Sequence, residues 1–176
     1  MLRRIVALCL LLAWPAVSPA FTFHVPEEHG RIQAAINLAS TSQVDTILIA
    51  PGTYNERLSI QLKAVVLRGR NGAEATTIDG QLGGNVITLN GVGRNCIIED
   101  LTITGGDQSG PDSVGTAIYL NSYASPTIQR CRLVGNRARA GGGINAYVFC
   151  EPLVKDCLIA NNSGGSWDTT RRSRAF

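Results

Sequence analysis

Gly115-Thr-Ala-Ile-Tyr-Leu-Asn-Ser-Tyr-Ala-Ser-Pro-Thr-Ile-Gln-Arg-Cys-Arg-Leu-Val-Gly-Asn136 is echoed 26 residues later by Gly141-Gly-Gly-Ile-Asn-Ala-Tyr-Val-Phe-Cys-Glu-Pro-Leu-Val-Lys-Asp-Cys-Leu-Ile-Ala-Asn-Asn162. Ile118 and Ile144, Ile128 and Val154, Cys131 and Cys157, Leu133 and Ile159, and Asn136 and Asn162 hold equivalent places in the two copies. A weaker, earlier copy runs through Ile87, Leu89, Ile98, Leu101, Ile103 and Gly105. Self-similarity at a fixed period marks units that bury their apolar side only by stacking on their neighbours. The repeat therefore names a scaffold more clearly than an activity.

Folding one repeat gives the architecture. Ile118 and Leu120 point inward as one strand, and Asn121 to Ala124 turn the chain. Pro126 and Ile128 form a second inward pair, Gln129-Arg130 a tight corner, and Cys131 and Leu133 a third pair. Three strands per turn, each turn advancing about 4.8 Å, make a right-handed parallel β-helix. The asparagines and glycines between strands suit corners that need left-handed backbone. Leu-x-x-Leu-x-Leu spacing, which a leucine-rich repeat requires, is absent. Upstream, Ile47 and Ile49, Leu58 and Ile60, Val65 and Leu67, and Ile87 and Leu89 alternate with polar neighbours in the same manner. The β-helix should thus occupy 45–163 in about five coils. Residues 28–42 differ: Ile32, Ala35, Ile36 and Ala39 form one helical stripe, so the segment 21–44 should hold a short capping helix.

The two ends of the chain read differently. Arg3 and Arg4, the apolar run from Ile5 to Val17 and small Ser18-Pro-Ala20 make residues 1–20 a secretory signal, too short to span a bilayer. This predicts a secreted, periplasmic or cell-surface protein with no membrane insertion after the signal is removed. Removing 20 of 176 residues leaves 156, enough for one domain. Of 16 basic residues two leave with the signal, so 14 face 13 acidic ones and the charge falls near +1, which argues against nucleic acid as a partner. Residues 164–176 lose the pattern and carry Arg171, Arg172 and Arg174, which predicts an irregular, disordered tail on a truncated or frame-altered chain.

Several other residues fall into the repeat register. Asp100, Arg130 and Asp156 share one corner, with Glu99, Gln129 and Lys155 beside them, so they read as a surface charge ladder that helps set register rather than a catalytic cluster. Cys131 and Cys157 stack on adjacent coils and read as buried free thiols. With Cys96 and Cys150 they show no metal-type spacing, and zinc is not expected. Export would permit disulfides.

Val25 to Gly80 resembles the opening of the pectin-lyase-like β-helix proteins. The resemblance rests on Arg31-Ile-Gln-Ala-Ala-Ile36, Thr46-Ile-Leu-Ile-Ala-Pro-Gly-Thr-Tyr-Asn-Glu56, Lys63-Ala-Val-Val-Leu-Arg-Gly69 and Thr77-Ile-Asp-Gly80. It implies a helix that caps the N-terminal end of the β-helix, and it extends over roughly 25–163. It implies no single activity, since that scaffold carries lyases, hydrolases, esterases and adhesins. The opening is similar to that of pectin methylesterases, yet their later motifs are missing; Thr116-Ala-Ile-Tyr-Leu120 comes nearest, with threonine in place of glutamine. Polygalacturonase-type hydrolysis would need paired acids and a Gly-His-Gly element, whereas the only histidines are His24 and His29. Gly141 to Ile144 with Ile159-Ala-Asn-Asn162 also resembles repeats of polymorphic outer-membrane adhesins, which are display rods.

No catalytic residue is assigned. The outward positions placed on one sheet are Thr88, Asn90, Tyr119, Asn121, Asn145 and Tyr147, without a carboxylate among them. Tyr119, Asn121, Asn145 and Tyr147 form the candidate substrate-binding column, because aromatic faces beside amides suit the apolar faces and hydroxyls of sugars. The loop Gly105 to Gly115 carries Asp107 and Asp112, which would suit calcium, but their spacing matches no established calcium loop and no cofactor is assigned. The expected function is binding of an extracellular or envelope polysaccharide without catalysis in this chain. The alternatives are a polysaccharide lyase or glycoside hydrolase whose catalytic coils are missing, and a structural or adhesive surface module.

Overall fold

The computed structural model of the 176-residue chain describes residues 19–107, 116–138, 141–164 and 174–175. All but the last two residues of the expected signal lie outside them, as does Asp112 of the calcium-like loop.

The chain forms a parallel β-solenoid of about five turns with one short helix near its N-terminus. Strand β1 (Thr22–Val25) and helix α1 (Ile32–Leu38) precede the coils. The first coil is β2 (Asp45–Ile49), β3 (Gly52–Tyr54) and β4 (Leu58–Gln61), and the second is β5 (Val65–Gly69), β6 (Thr76–Asp79) and β7 (Ile87–Asn90). The third is β8 (Ile97–Glu99), β9 (Thr102–Thr104) and β10 (Ile118–Asn121). The fourth holds β11 (Thr127–Gln129), β12 (Arg132–Val134), β13 (Arg137–Ala138) and β14 (Ile144–Ala146); the fifth holds β15 (Leu153–Lys155), β16 (Leu158–Ala160) and β17 (Ser163–Gly164). A two-residue strand, β18 (Arg174–Ala175), follows.

These strands stack into three long sheets, ordered β1-β2-β5-β8-β11-β15, β3-β6-β9-β12-β16 and β4-β7-β10-β14-β18, with β13-β17 as a small fourth. The 26-residue step is the pairing register itself, with Ile118 opposite Ile144, Ile128 opposite Val154 and Leu133 opposite Ile159. Alternation does the rest, because period-2 side chains put every second residue inside. Ile47, Ile49, Ile60, Leu67, Ile78, Ile87, Leu89, Ile98, Ile103, Ile118, Leu120, Ile128 and Leu133 are all fully buried. The corner after the first sheet recurs in left-handed backbone at Asp100 (φ 59°), Arg130 (φ 51°) and Asp156 (φ 54°). Gly69 occupies the matching place one coil earlier, where a Cβ would lie 2.0 Å from the Asp100 carbonyl oxygen.

Asparagines close the turn that follows the second sheet. Asn136 donates through Nδ2 to the Ile103 and Val134 carbonyls, and its Oδ1 accepts from the Gly106 N–H at 2.9 Å. Asn162 repeats the arrangement one coil on, donating to the Leu133 carbonyl at 2.7 Å and accepting from the Asn136 N–H at 3.0 Å. Buried backbone groups that leave the sheets are thereby satisfied.

The helix is shorter than the 28–42 segment read from the stripe, though all four stripe residues are buried. Glu28 belongs to a preceding turn, where its N–H reaches the His24 carbonyl at 3.0 Å and its carboxylate takes the His24 N–H. At the other end Asp45 stops the helix by accepting the Ser40 N–H at 2.7 Å while also holding the Phe21 N–H at 2.8 Å. Arg31, at the N-cap, supplies no side-chain cap. Glu56 from the first coil does so instead, accepting from the Ile32 and Gln33 N–H groups at 2.9 and 3.1 Å. Lys63 Nζ donates to the Ile36 and Ala39 carbonyls at 2.9 and 3.0 Å. An anion at the helix start and a cation at its end both complement the helix dipole. Gln33 then acts as a surrogate peptide on the edge strand β4, donating to the Ser59 carbonyl and accepting its N–H at 2.8 Å. The first sheet is covered at the same end by β1.

Of the tail 164–176, expected to be irregular, Arg174–Ala175 pairs antiparallel with β14, Ala146 facing Arg174 and Asn145 facing Ala175. The edge of β14 offers backbone donors and acceptors there, and an extended pair of residues suffices to use them.

Candidate functional site

The outward rows of the third sheet carry the residues expected to face a ligand. Thr88, Tyr119 and Asn145 share one row, with Ser59 behind them. Gln61, Asn90 and Asn121 share the next, and the Tyr147 N–H, bonded to the Leu120 carbonyl at 2.9 Å, sets Tyr147 beside Asn121. Tyr119, Asn121, Asn145 and Tyr147 are thus brought together on neighbouring coils. They are not equally accessible: Tyr147 is 40% exposed, whereas Asn145 is only 8% exposed, where β18 runs alongside β14. Burial pushes the Tyr119 phenol up, with Tyr147 and Cys150 adding to it, so this hydroxyl stays protonated near neutral pH.

Beyond these rows the chain turns the corner from Asn121 to Ala124 and its equivalent one repeat later. Tyr123 and Phe149 stand there with their rings stacked, centroids 5.5 Å apart and planes 16° from parallel, and are 66% and 78% exposed. Each follows another left-handed residue: Ser122 (φ 55°) precedes Tyr123 (φ 61°), and Val148 (φ 49°) precedes Phe149 (φ 54°). Two such residues in succession swing the aromatic side chain out from the core. A left-handed β-branched residue such as Val148 is costly, roughly 1–2 kcal/mol. The signal was available in the sequence, since Tyr123 and Phe149 are 26 residues apart and so hold equivalent places in the repeat.

A second region is an open polar cleft of about 430 Å³ beside the start of the helix, lined by Arg31, Asn55, Glu56, Arg57, Asp79 and Gln81 among others. Its acids serve the fold. Glu56 holds the helix N-terminus, and Asp79 Oδ1 accepts the Gln81 N–H at 2.8 Å. Arg57 bonds the Gly83 carbonyl across the same cleft. Asp107, from the calcium-like loop, forms a parallel bridge with Arg137, whose Nε lies 4.0 Å from its carboxylate.

The charge ladder stands in the expected register, but its centre, Glu99, is buried rather than on the surface. Glu99, 2% exposed, lies opposite Arg68 and Gln129 and bonds both, and it accepts from Arg130 Nη2 at 2.6 Å. Arg130 grips Asp100 bidentately, with both bonds at 2.8 Å. Burial alone would push the Glu99 carboxyl up, but hydrogen bonds from Gln129, Arg68 and Arg130 outweigh it and hold the group below its ordinary value. Register and charge account for this cluster without a substrate.

Cys96, Cys131, Cys150 and Cys157 are all free thiols; Cys131 is buried as expected, whereas Cys157, in the fifth coil, is only partly buried. Among the described residues no three of His, Cys, Asp and Glu converge as metal ligands, and no helix is long and apolar enough to cross a membrane. No protein-family model and no curated protein matches the sequence.

Proposed function

We propose that this chain is an exported, pectin-lyase-like β-helix that binds an extracellular or envelope polysaccharide, without catalysis in this chain. The observation that carries the reading is the exposed Tyr123–Phe149 stack beside the Tyr147 and Asn121 row. Rings this exposed are costly to leave facing water and gain when a flat apolar surface covers them. A pyranose ring offers such a surface on its C–H face, while its hydroxyls match the donors and acceptors of Asn90 and Asn121. The left-handed Val148 supports the reading further, because backbone strain tends to be retained where a side chain must be presented. Asn145 shares the outward row of Tyr119 but is buried where β18 runs alongside, so it is not offered to the ligand, and Tyr119 next to it is half-buried.

The test is retention of the full chain on a panel of acidic and neutral polysaccharides, with and without calcium, followed by ultraviolet absorbance from unsaturated sugars. Retention without cleavage is expected, and Phe149→Ala or Tyr123→Ala should each weaken it by up to about tenfold, the range of a lost aromatic contact. Undiminished retention of the double variant would discard the face. Calcium-dependent release of unsaturated products would replace binding by lyase action.

A further inference from the structure

We propose that Cys157 is a site of thiol–disulfide exchange, with Cys131 as its resolving thiol. The register places them side by side, for Arg132 pairs with Leu158 and the Leu158 N–H reaches the Cys131 carbonyl at 2.9 Å. Adjacent strands of a sheet run about 4.8 Å apart, inside the Cα separation that a disulfide accepts. Both side chains point the same way from equivalent corners. Cys131 Sγ lies 3.5 Å from the Ile98 carbonyl and 3.3 Å from that of Gln129; Cys157 Sγ lies 3.7 Å from the Ile128 carbonyl and 3.3 Å from that of Lys155.

What separates the two thiols is access. Cys131 is 1% exposed beneath the fifth coil, whereas Cys157, in that coil, is only half-buried. The pair also divides its protons. The neighbouring Cys131 thiol draws Cys157 down to about 7 against the opposing effects of burial and Asp156, while the Cys157 thiol, with burial, pushes Cys131 well up. Cys96 is pushed up to about 11 by burial, and Cys150 is also raised by burial. The thiol most able to become a thiolate near neutral pH is therefore one that a reagent can reach.

The chemistry closes with a small-molecule disulfide as oxidant. The Cys157 thiolate attacks one sulfur, forming a mixed disulfide and releasing the other half as a thiolate. Cys131 then gives up its proton and attacks Cys157 Sγ, forming the Cys131–Cys157 bond and expelling the second half as a thiol. The protein loses two electrons and two protons, and the oxidant becomes two thiols. The product staples the fourth coil to the fifth. Because in-register side chains must turn toward one another, this bond should be readily reduced.

The experiment treats the reduced chain from residue 21 onward, without the expected signal and its Cys9, with glutathione disulfide at pH 7, then unfolds it in the presence of an alkylating agent so that buried Cys96 is also labelled, and maps peptides by mass spectrometry. The expected wild-type product is two hydrogens lighter, linked through Cys131 and Cys157, with Cys96 and Cys150 alkylated. Cys131→Ser should stop at one glutathione on Cys157, and Cys157→Ser should leave Cys131 unmodified. With Cys157 drawn down and Cys150 pushed up, the first adduct is expected on Cys157 rather than on Cys150. The wild-type map does not depend on how the variants fold. Free Cys131 and Cys157 after treatment, or a first adduct on Cys150, would overturn the assignment.

Discussion

Ile47 of the first coil and Val154 of the fifth occupy the same inward place along the first sheet, yet Ile47 is fully buried and Val154 is only half-buried. The second sheet tells the same story, with Ile78, Ile103 and Leu133 sealed and Ile159 half-open. Leu153 and Leu158 at the later end are 46% and 48% exposed. The repeat fixes which way a side chain points, and the next layer decides whether it is buried. At the N-terminal end that layer is α1 and β1, fastened by Asp45, Glu56, Lys63 and Gln33. Polar fastening matters because an open coil exposes backbone donors and acceptors as well as apolar side chains.

The contrast is most directly tested with two isoleucines at equivalent positions. Ile103→Ala should lower the free energy of urea unfolding by about 4 kcal/mol, since a filled, fully buried site leaves a cavity. Ile159→Ala should cost less than about half of that, and equal losses would show that the two layers are buried alike in solution. Next in size, Glu56→Ala should cost about 2–3 kcal/mol, because two helix N–H groups lose a charged acceptor. A loss well under 1 kcal/mol would mean that water replaces Glu56 and the polar fastening is dispensable.

Acid titration examines the middle of the rod. The Glu99 carboxyl is held below its ordinary value in the folded chain, so its contribution is present above the unfolded value of about 4.3 and is lost as pH falls through the lower folded value. Glu99→Gln should therefore flatten the acid limb of a stability–pH curve, and an unchanged limb would remove the ladder from the account. The smallest effect belongs to the later end, where Leu158→Ser should change stability by less than about 0.5 kcal/mol. A large loss there would mean that Leu158 is covered in solution.

Much of this was legible because a solenoid writes its register into its period. The step from Ile118 to Ile144 and from Leu133 to Ile159 gave strands, sheets and inward faces together. The ladder of Glu99, Gln129 and Lys155 followed from the same count. The helix bounds were not legible, because they are set by Glu56, Lys63 and Asp45, which lie elsewhere in the chain and carry no local capping pattern. The proposed face was half legible. Its amide rows came from alternation, but alternation stops at a corner, and Tyr123 and Phe149 lie beyond that point.

The recurring left-handed corners bear on how such a rod can change over generations. Ser122-Tyr123 and Val148-Phe149 close successive repeats with the same backbone, and Asn136 and Asn162 seal the same turn. A tandem duplication of one whole repeat in the coding sequence would meet matching geometry at both junctions. Length can then vary by complete coils, whereas an insertion of a few residues within a strand would put apolar side chains on the wrong face.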